Sequence, residues 1–195
     1  MITSHVQRMQ TTAIRATGRM IGPMRSLGTA LVLAMGLTLS PISQAQELEG
    51  FWDDPFKDLQ ADVEAARKEG KAGVFAFFQM DECPFCHRMK TQVFIDPAVQ
   101  EYIKKHFVTV SIDIEGDVMM TAPDGEQLKE KDFAFKKYRV RATPVMIFFD
   151  TEGEPALRYT GPTQSPEEFR QLMAFFASGA YKEPGMNFFK YKKQQ

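Results

Sequence analysis

The sequence predicts an α/β domain in which helices cover both faces of one mixed sheet. Apolar, strand-like runs occupy residues 74–78, 107–114 and 145–149, and helical patterns lie before, between and after them. The run at 74–78 is continuous rather than alternating, which is typical of a central strand that is covered on both faces. Helices on both sides of a single sheet are the simplest packing for such an order.

The first half of this order begins with a predicted helix at residues 56–68 that ends near Gly70. Its apolar residues recur at spacings of three and four, and they are Phe56, Leu59, Val63 and Ala66. After the strand at 74–78, Pro84 is well placed to open a second helix, because proline is favoured in the first helical turn. That helix should extend to about Phe94, and a third helix is predicted at residues 98–105.

The second half continues with a β-branched strand at residues 107–114, a loop with turn signals, and a helix predicted at 126–138. The inner contacts expected for this helix are Leu128, Phe133 and Phe135. The strand at 145–149 should turn back through a hairpin at 150–154 into a strand at 155–160. A capping box formed by Ser165 and Glu168 then starts a helix that reaches about Ser178.

The first 45 residues are predicted to be a cleavable signal peptide. They contain four arginines and no acidic residue, and an apolar segment runs from Leu27 to Leu39. Ser43 and Ala45 supply the small residues of a cleavage site, which we place after Ala45. The apolar run is shorter than the ~20 residues of a membrane-spanning helix. We therefore expect an exported, periplasmic protein rather than a membrane anchor.

The rest of the chain is predicted to form one domain at residues 46–181, followed by a polar tail at 182–195. Without residues 1–45, the chain has 20 basic and 25 acidic side chains and a formal charge of −5. This charge does not favour binding to nucleic acid or to a membrane surface. We expect a monomer whose partners are proteins.

Both cysteines of the chain lie in the stretch Cys83-Pro84-Phe85-Cys86-His87. Read as Cys-x-x-Cys-His, the stretch fits attachment of c-type haem. Read as Cys-x-x-Cys among strands and helices, it fits a thiol-disulfide redox site. A disulfide between Cys83 and Cys86 would close almost no loop, so it would add little stability, and reactivity explains the pair better. A copper site made by both cysteines and a histidine is a third interpretation.

The surroundings of the motif favour redox chemistry. A c-type cytochrome of this size should be mostly helical, whereas this motif follows a predicted buried strand; we therefore interpret His87 as a solvated helix residue. The start of a helix stabilises a thiolate and lowers a cysteine pKa from ~8.5 into the range ~3.5 to 7.5. Cys83 lies closest to that start, so we predict that Cys83 is the attacking thiolate and Cys86 the resolving thiol.

The order of motifs resembles the thioredoxin fold: a buried strand, Cys-Pro-Phe-Cys opening a helix, Thr143-Pro144 before a strand, a hairpin and a closing helix. The finer pattern is similar to the SoxW type, the exported thioredoxins of bacterial sulfur-oxidation clusters. The finer resemblance is carried by Cys-Pro-aromatic-Cys, Asp96-Pro97-Ala98-Val99 with Tyr102-Ile103, residues 138–144, Phe148-Phe149-Asp150 with Gly153, and Gly179-Ala180-Tyr181.

The resemblance implies an exported thiol-disulfide oxidoreductase without a cofactor or a metal. It would reduce disulfides of exported partner proteins and would itself be kept reduced by a membrane thiol electron donor. The resemblance further implies that the Thr143–Pro144 peptide bond is cis and faces the cysteines. Thr143, Pro144, Pro84 and Phe85 would then contact the substrate.

Two positions depart from the pattern of ordinary thioredoxins. Those proteins carry a tryptophan just before the first cysteine and a buried acid in the preceding strand, where this chain has Glu82 and Phe77. We expect water or Glu82 to accept the proton during resolution. A disulfide-forming oxidase remains an alternative, because Cys-Pro-x-Cys also occurs in that class. Oxidases usually carry a large helical insertion between the active-site helix and the cis-proline strand, however. Beyond the helix predicted at 98–105, residues 97–141 hold only one predicted strand and one predicted helix.

Overall fold

The computed structural model describes Leu48, residues 50–54 and residues 56–195, and the predicted signal peptide lies outside these described residues. The strands are β1 Gly73–Gln79, β2 Phe107–Asp113, β3 Met119–Thr121, β4 Gln127–Lys129, β5 Val145–Phe149 and β6 Pro155–Thr160. The helices are α1 Leu59–Lys68, α2 Pro84–Arg88, α3 Pro97–His106, α4 Glu130–Asp132, α5 Pro166–Ala177 and α6 Phe188–Lys192. Helices α2 and α4 continue as π-helical turns at Met89–Val93 and Phe133–Lys137, and a 3₁₀ turn spans Ala180–Lys182.

Four strands form a mixed sheet in the order β2-β1-β5-β6. Strand β1 pairs in parallel with β2 and antiparallel with β5, and β6 returns antiparallel to β5. Residues 73–78 and all of β5 are buried. The continuous apolar runs therefore mark the two central strands, as the sequence predicts, because both of their faces are covered.

Alternate residues of the strands feed two hydrophobic clusters, one on each face of the sheet. On the first face, Phe75 and Phe77 of β1 pack with residues of α2, α3 and α5. On the opposite face, Val74, Ala76 and Phe78 pack with residues of α1 and of the π-helical turn after α4. The predicted α/β architecture with helices on both faces is confirmed.

Two local predictions are wrong. Helix α1 begins at Leu59, not at Phe56, because the Asp58 side chain caps it by accepting a hydrogen bond from the Ala61 N–H at 3.0 Å; Phe56 is exposed. The region predicted as one helix at 126–138 contains β4, paired with β3, before α4 starts. Strands this short have too few residues to show a hydrophobic pattern. Of the predicted inner contacts, Phe133 is buried but Phe135 is exposed.

The segment before α1 runs along the free edge of β2. The Asp53 N–H donates to the Thr109 carbonyl at 3.0 Å, and the Thr109 N–H donates to the Asp53 carboxylate at 3.0 Å. These bonds occupy polar groups that an uncovered edge strand would offer to another chain.

Among the residues that the structure describes, no helix has both the length and the apolar character that crossing a membrane requires.

The tail is packed against α5. Phe188 is 5% exposed and belongs to the cluster on the first face of the sheet, and Asn187 caps α6 by accepting a hydrogen bond from the Lys190 N–H at 3.0 Å. The Lys192 ammonium lies 2.6 Å from the Glu168 carboxylate. The sequence leaves the conformation of this tail open, because its few aromatic residues lack a helical period.

Candidate active site

Cys83 is the N-cap residue of α2. Its backbone is extended, with φ −120° and ψ 96°, and its sulfur accepts a hydrogen bond from the Cys86 N–H at 3.0 Å. Pro84 follows at the first helical position, where a missing N–H costs nothing because the first turn has no intrahelical partner for it. The Cys86 N–H at the helix start thus points towards the sulfur atom at which a thiolate would form.

Cys83 and Cys86 are joined by a disulfide, with 5.2 Å between their Cα atoms. Cys86 is 2% exposed and Cys83 6% exposed, and both belong to the apolar cluster on the first face of the sheet. Between them, Pro84 and Phe85 are exposed. The two residues between the cysteines are therefore accessible from outside, whereas the cysteine side chains are largely covered.

The sheet brings Thr143-Pro144 to the same end as the cysteines. Val145 pairs with Phe78 in the register of β5 and β1, so Pro144 lies level with Gln79, shortly before the loop that carries Cys83. The Thr143–Pro144 peptide bond is cis. Pro144 is buried, and its carbonyl accepts a hydrogen bond from the Gly161 N–H at 2.9 Å.

Thr143 keeps unpaired polar groups at this edge. Its hydroxyl oxygen is buried without a hydrogen-bond partner, and its backbone N–H and carbonyl make no hydrogen bond with the described residues. Buried polar groups in proteins are usually satisfied. The polar groups of Thr143 are an exception among the described residues.

Asp81, Glu82 and His87 surround the motif as exposed side chains. The exposure of His87 agrees with its interpretation as a solvated helix residue. In the described part of the chain, no three His, Cys, Asp or Glu side chains are grouped closely enough to hold a metal ion.

Aromatic rings fill the place of the buried acid of ordinary thioredoxins. Phe77 is fully buried, stacks on Trp52 with 5.9 Å between ring centroids, and contacts Phe94 edge-on at 5.0 Å. Trp52 reaches this position from the segment before α1. Its distance from the motif in sequence is the reason that sequence reasoning did not connect it with the site.

Two buried carboxyl groups lie elsewhere, at the start of α1. Asp54 and Asp62 are 8% and 9% exposed, and one carboxyl oxygen of each has no hydrogen-bond partner among the described residues. Burial, followed by the neighbouring Asp54 carboxylate, raises the pKa of Asp62 to about 8. Asp62 was not singled out from the sequence, although its place between Leu59 and Ala66 on the buried side of α1 is a detectable signal.

Comparison with known proteins agrees with this geometry. Residues 59–177 match the family described as a thioredoxin-like domain. The thiol:disulfide interchange protein DsbD of Pectobacterium atrosepticum is 28% identical over 119 residues, which are 60% of this chain and only 18% of that relative's length. A thioredoxin-fold protein from Helicobacter pylori superposes with a TM-score of 0.51 at 19% identity, covering 64% of this chain and 80% of that chain.

The fold and the disulfide at the start of α2 together define a protein of the thioredoxin-fold type with a Cys-x-x-Cys pair. The family match covers more than half of the sequence. The chain therefore belongs to the thioredoxin-like family.

Proposed function

We propose that this chain is a periplasmic thiol:disulfide oxidoreductase that reduces disulfides of exported partner proteins. The observation that carries the proposal is the position of Cys83, which caps α2 and is paired with the buried Cys86. A cysteine at a helix start is ionised more readily than a free one, and the thiolate is the nucleophile in disulfide exchange.

The reaction starts from the reduced pair. The Cys83 thiolate attacks one sulfur of the substrate disulfide, and the other substrate sulfur leaves as a thiolate that takes up a proton. Cys86 then loses its proton and attacks the Cys83 sulfur, which releases the second substrate sulfur and forms the Cys83–Cys86 disulfide. Two electrons pass from the cysteine pair to the substrate, and a membrane thiol electron donor would return the pair to its reduced form.

Substrate binding would use the edge beside the cis-proline. The free N–H and carbonyl of Thr143 can pair with an extended segment next to the substrate cysteine, and Pro144, Pro84 and Phe85 would line the contact. This arrangement recognises backbone rather than particular side chains. It suits a protein that acts on disulfides in several partners.

The reducing direction is supported by the resemblance to the SoxW type and by the part of the chain between α3 and β5. That part contains β2, the short β3–β4 hairpin, α4 and its π-helical turn. These elements do not include the large helical insertion that is usual in disulfide-forming oxidases. The name of the relative DsbD, a thiol:disulfide interchange protein, is in keeping with exchange chemistry in either direction.

The equilibrium potential of the Cys83–Cys86 pair against glutathione tests the direction of electron flow. Alkylation of the free thiols, followed by mass measurement, gives the reduced fraction at each glutathione ratio. A value near about −270 mV supports a reductant, and a value near about −120 mV would show an oxidase instead.

Two cysteine variants test the assigned roles. We expect Cys83→Ser to abolish the reduction of insulin, because the attacking thiolate is lost. We expect Cys86→Ser to accumulate mixed disulfides with the substrate, which mass spectrometry detects. Insulin reduction by Cys83→Ser at the wild-type rate would contradict the assignment of the attacking cysteine.

The haem alternative is decided by a visible spectrum of the protein purified from its own periplasm. The proposal requires that no Soret band from covalently bound haem is present. Such a band would contradict the proposed disulfide exchange and would indicate electron transfer through a bound haem.

A further inference from the structure

Cys86 must ionise in an unfavourable place. It is 2% exposed and packs in the cluster that contains Phe77, Met89 and Phe94. Transfer of a charge into apolar surroundings raises its free energy unless another group compensates. Phe77 occupies the position of the buried acid, so the usual proton acceptor of thioredoxins is missing.

Polar side chains return one step further along the same face of the sheet. In β1, Phe75 and Phe77 face α2, and Gln79 is the next residue in this alternation. The Gln79 amide donates a hydrogen bond to the Ser111 hydroxyl at 2.9 Å, and Gln79 pairs in register with Asp113. The apolar floor beneath α2 therefore ends in a polar group at the cysteine end of β1.

Lys90 lies near this polar end, since the charge of Asp113 acts on it. It is half-buried in the π-helical turn that continues α2, and it follows Cys86 by four residues. Residues four apart on a helix are neighbours on its surface, with about 5–6 Å between their Cβ atoms. The ammonium group of Lys90 can therefore lie on the side of the helix that carries Cys86.

The carboxylates whose charges act on Lys90 are Asp81, in the loop before Cys83, and Asp113, at the end of β2. Burial lowers the pKa of Lys90, and these two carboxylates oppose that effect. No carboxylate among the described residues lies within ion-pair distance of Lys90. Its charge is therefore available to a thiolate that forms nearby.

We propose that Lys90 is a positioning residue whose ammonium group stabilises the Cys86 thiolate during resolution. The inference rests on the proposed disulfide exchange. The sequence predicts that water or the exposed Glu82 accepts the Cys86 proton in place of the missing acid. In the present proposal, water takes the proton, and Lys90 stabilises the anion that remains.

The step that Lys90 assists begins with the mixed disulfide, in which the Cys83 sulfur is bonded to a substrate sulfur and Cys86 is a thiol. Cys86 gives its proton to water, and its thiolate attacks the Cys83 sulfur. The bond between Cys83 and the substrate breaks, and its electron pair leaves with the substrate sulfur, which takes a proton from water. The Cys83–Cys86 disulfide is formed, and no further oxidant or reductant is needed.

The test titrates Cys86 by itself. Three proteins that carry Cys83→Ser are compared: one keeps Lys90, and the others carry Lys90→Gln or Lys90→Arg. The ultraviolet absorbance of the Cys86 thiolate is followed against pH in each. We expect Lys90→Gln to raise the midpoint of the Cys86 titration by about one pH unit. The fraction of Cys86 that is ionised at neutral pH would then be about tenfold lower. Lys90→Arg should keep the wild-type midpoint, because it keeps the charge.

Lys104→Gln is the matched control, since Lys104 is an exposed lysine of the neighbouring helix α3; its midpoint should not change. If Lys90→Gln does not fold, as judged by circular dichroism, Lys90→Met keeps the unbranched stem and gives the same comparison. If the Cys86 midpoint is the same with Lys90 in place, in Lys90→Gln (or Lys90→Met) and in Lys90→Arg, the assignment of Lys90 is overturned.

A single-turnover assay separates this inference from the proposed function. With Cys83 present, the Lys90→Gln protein should release the second half of a small aromatic disulfide about threefold more slowly than wild type at neutral pH, because the lower thiolate fraction is partly offset by the greater nucleophilicity of a thiolate with a higher pKa. The rate for the first half should be unchanged. Equal second-half rates would overturn the role in resolution. Failure of the wild-type protein to reduce insulin would instead overturn the proposed function, while the titration of Cys86 would still decide the role of Lys90.

Discussion

Replacement of Asp62 by asparagine should make the protein more stable at alkaline pH. The Asp62 carboxyl group is buried against that of Asp54, whose other oxygen accepts hydrogen bonds from the N–H groups of Phe56 and Lys57 at 2.7 Å each. Two buried carboxyl groups in contact cannot both ionise without strong repulsion. Burial and the Asp54 charge, with smaller contributions from Asp58 and Asp53, raise the pKa of Asp62 from 3.8 to about 8.

The sign of the pH dependence follows from where the proton binds more tightly. The folded protein holds the Asp62 proton up to about pH 8, whereas the unfolded chain releases it near 3.8. The free energy of unfolding therefore decreases as pH rises from about 4 to about 8 and stays low above that range. At 1.36 kcal/mol per pKa unit the loss has an upper limit of about 6 kcal/mol. Water entry and relaxation around a buried charge reduce such penalties, so we expect about 2–4 kcal/mol.

Urea unfolding of the oxidised protein, followed by circular dichroism between pH 5 and pH 9, measures this difference. Asp62→Asn should exceed wild type by about 1.5 kcal/mol at pH 5, because only the unfolded chain has then released the Asp62 proton, and by about 2–4 kcal/mol at pH 9. Glu101→Gln, at an exposed position of α3, controls for the loss of one negative charge and should follow the wild-type curve. A stability difference between Asp62→Asn and wild type that is the same at pH 5 and pH 9 would refute the reasoning.

Two further predictions concern the closing helix and the tail. Phe188→Ala should lower the free energy of unfolding by about 3–5 kcal/mol, because Phe188 is 5% exposed, whereas Phe189→Ala, at a side chain that is 62% exposed, should change it by less than about 0.5 kcal/mol. Equal effects in urea unfolding would show that the tail does not dock. Ser165→Ala should lower it by about 1 kcal/mol in the same assay, since the Ser165 hydroxyl accepts a hydrogen bond from the Glu168 N–H at 3.2 Å; an unchanged midpoint would show that this cap is not needed.

The main elements of the fold could be predicted from the sequence because their signals are local. The continuous apolar run at 74–78, the proline after Cys83 and the capping box at Ser165 each depend on residues within one turn or one strand. The β3–β4 hairpin could not be predicted in this way. Each of its strands has three residues, and its pairing depends on the turn at Pro123-Asp124-Gly125, in which the Gly125 N–H donates to the Ala122 carbonyl at 2.8 Å.

The candidate site divides along the same line. Cys83 and Cys86 are visible in the sequence because a spacing of three residues places both on one helical turn. Lys90 carried a usable signal, its spacing of four residues from Cys86, but its partial burial comes from packing at the end of the sheet. Trp52 carried none, because its contact with Phe77 joins segments that are distant in the chain.

The sequence by itself determined the identity of the reactive pair, the helix that begins beside it and the order of the main strands and helices, since hydrophobic period, capping and cysteine spacing act over a few residues. Only the tertiary structure decided what surrounds that pair. The pairing of Phe78 with Val145 brings Pro144 to the cysteine end of the sheet, and the packing of Trp52 and Phe94 encloses Phe77 where ordinary thioredoxins carry an acid. The physical reason is that burial and charge at Cys86 are set by groups from separate strands and helices, which the chain brings together only when the sheet forms.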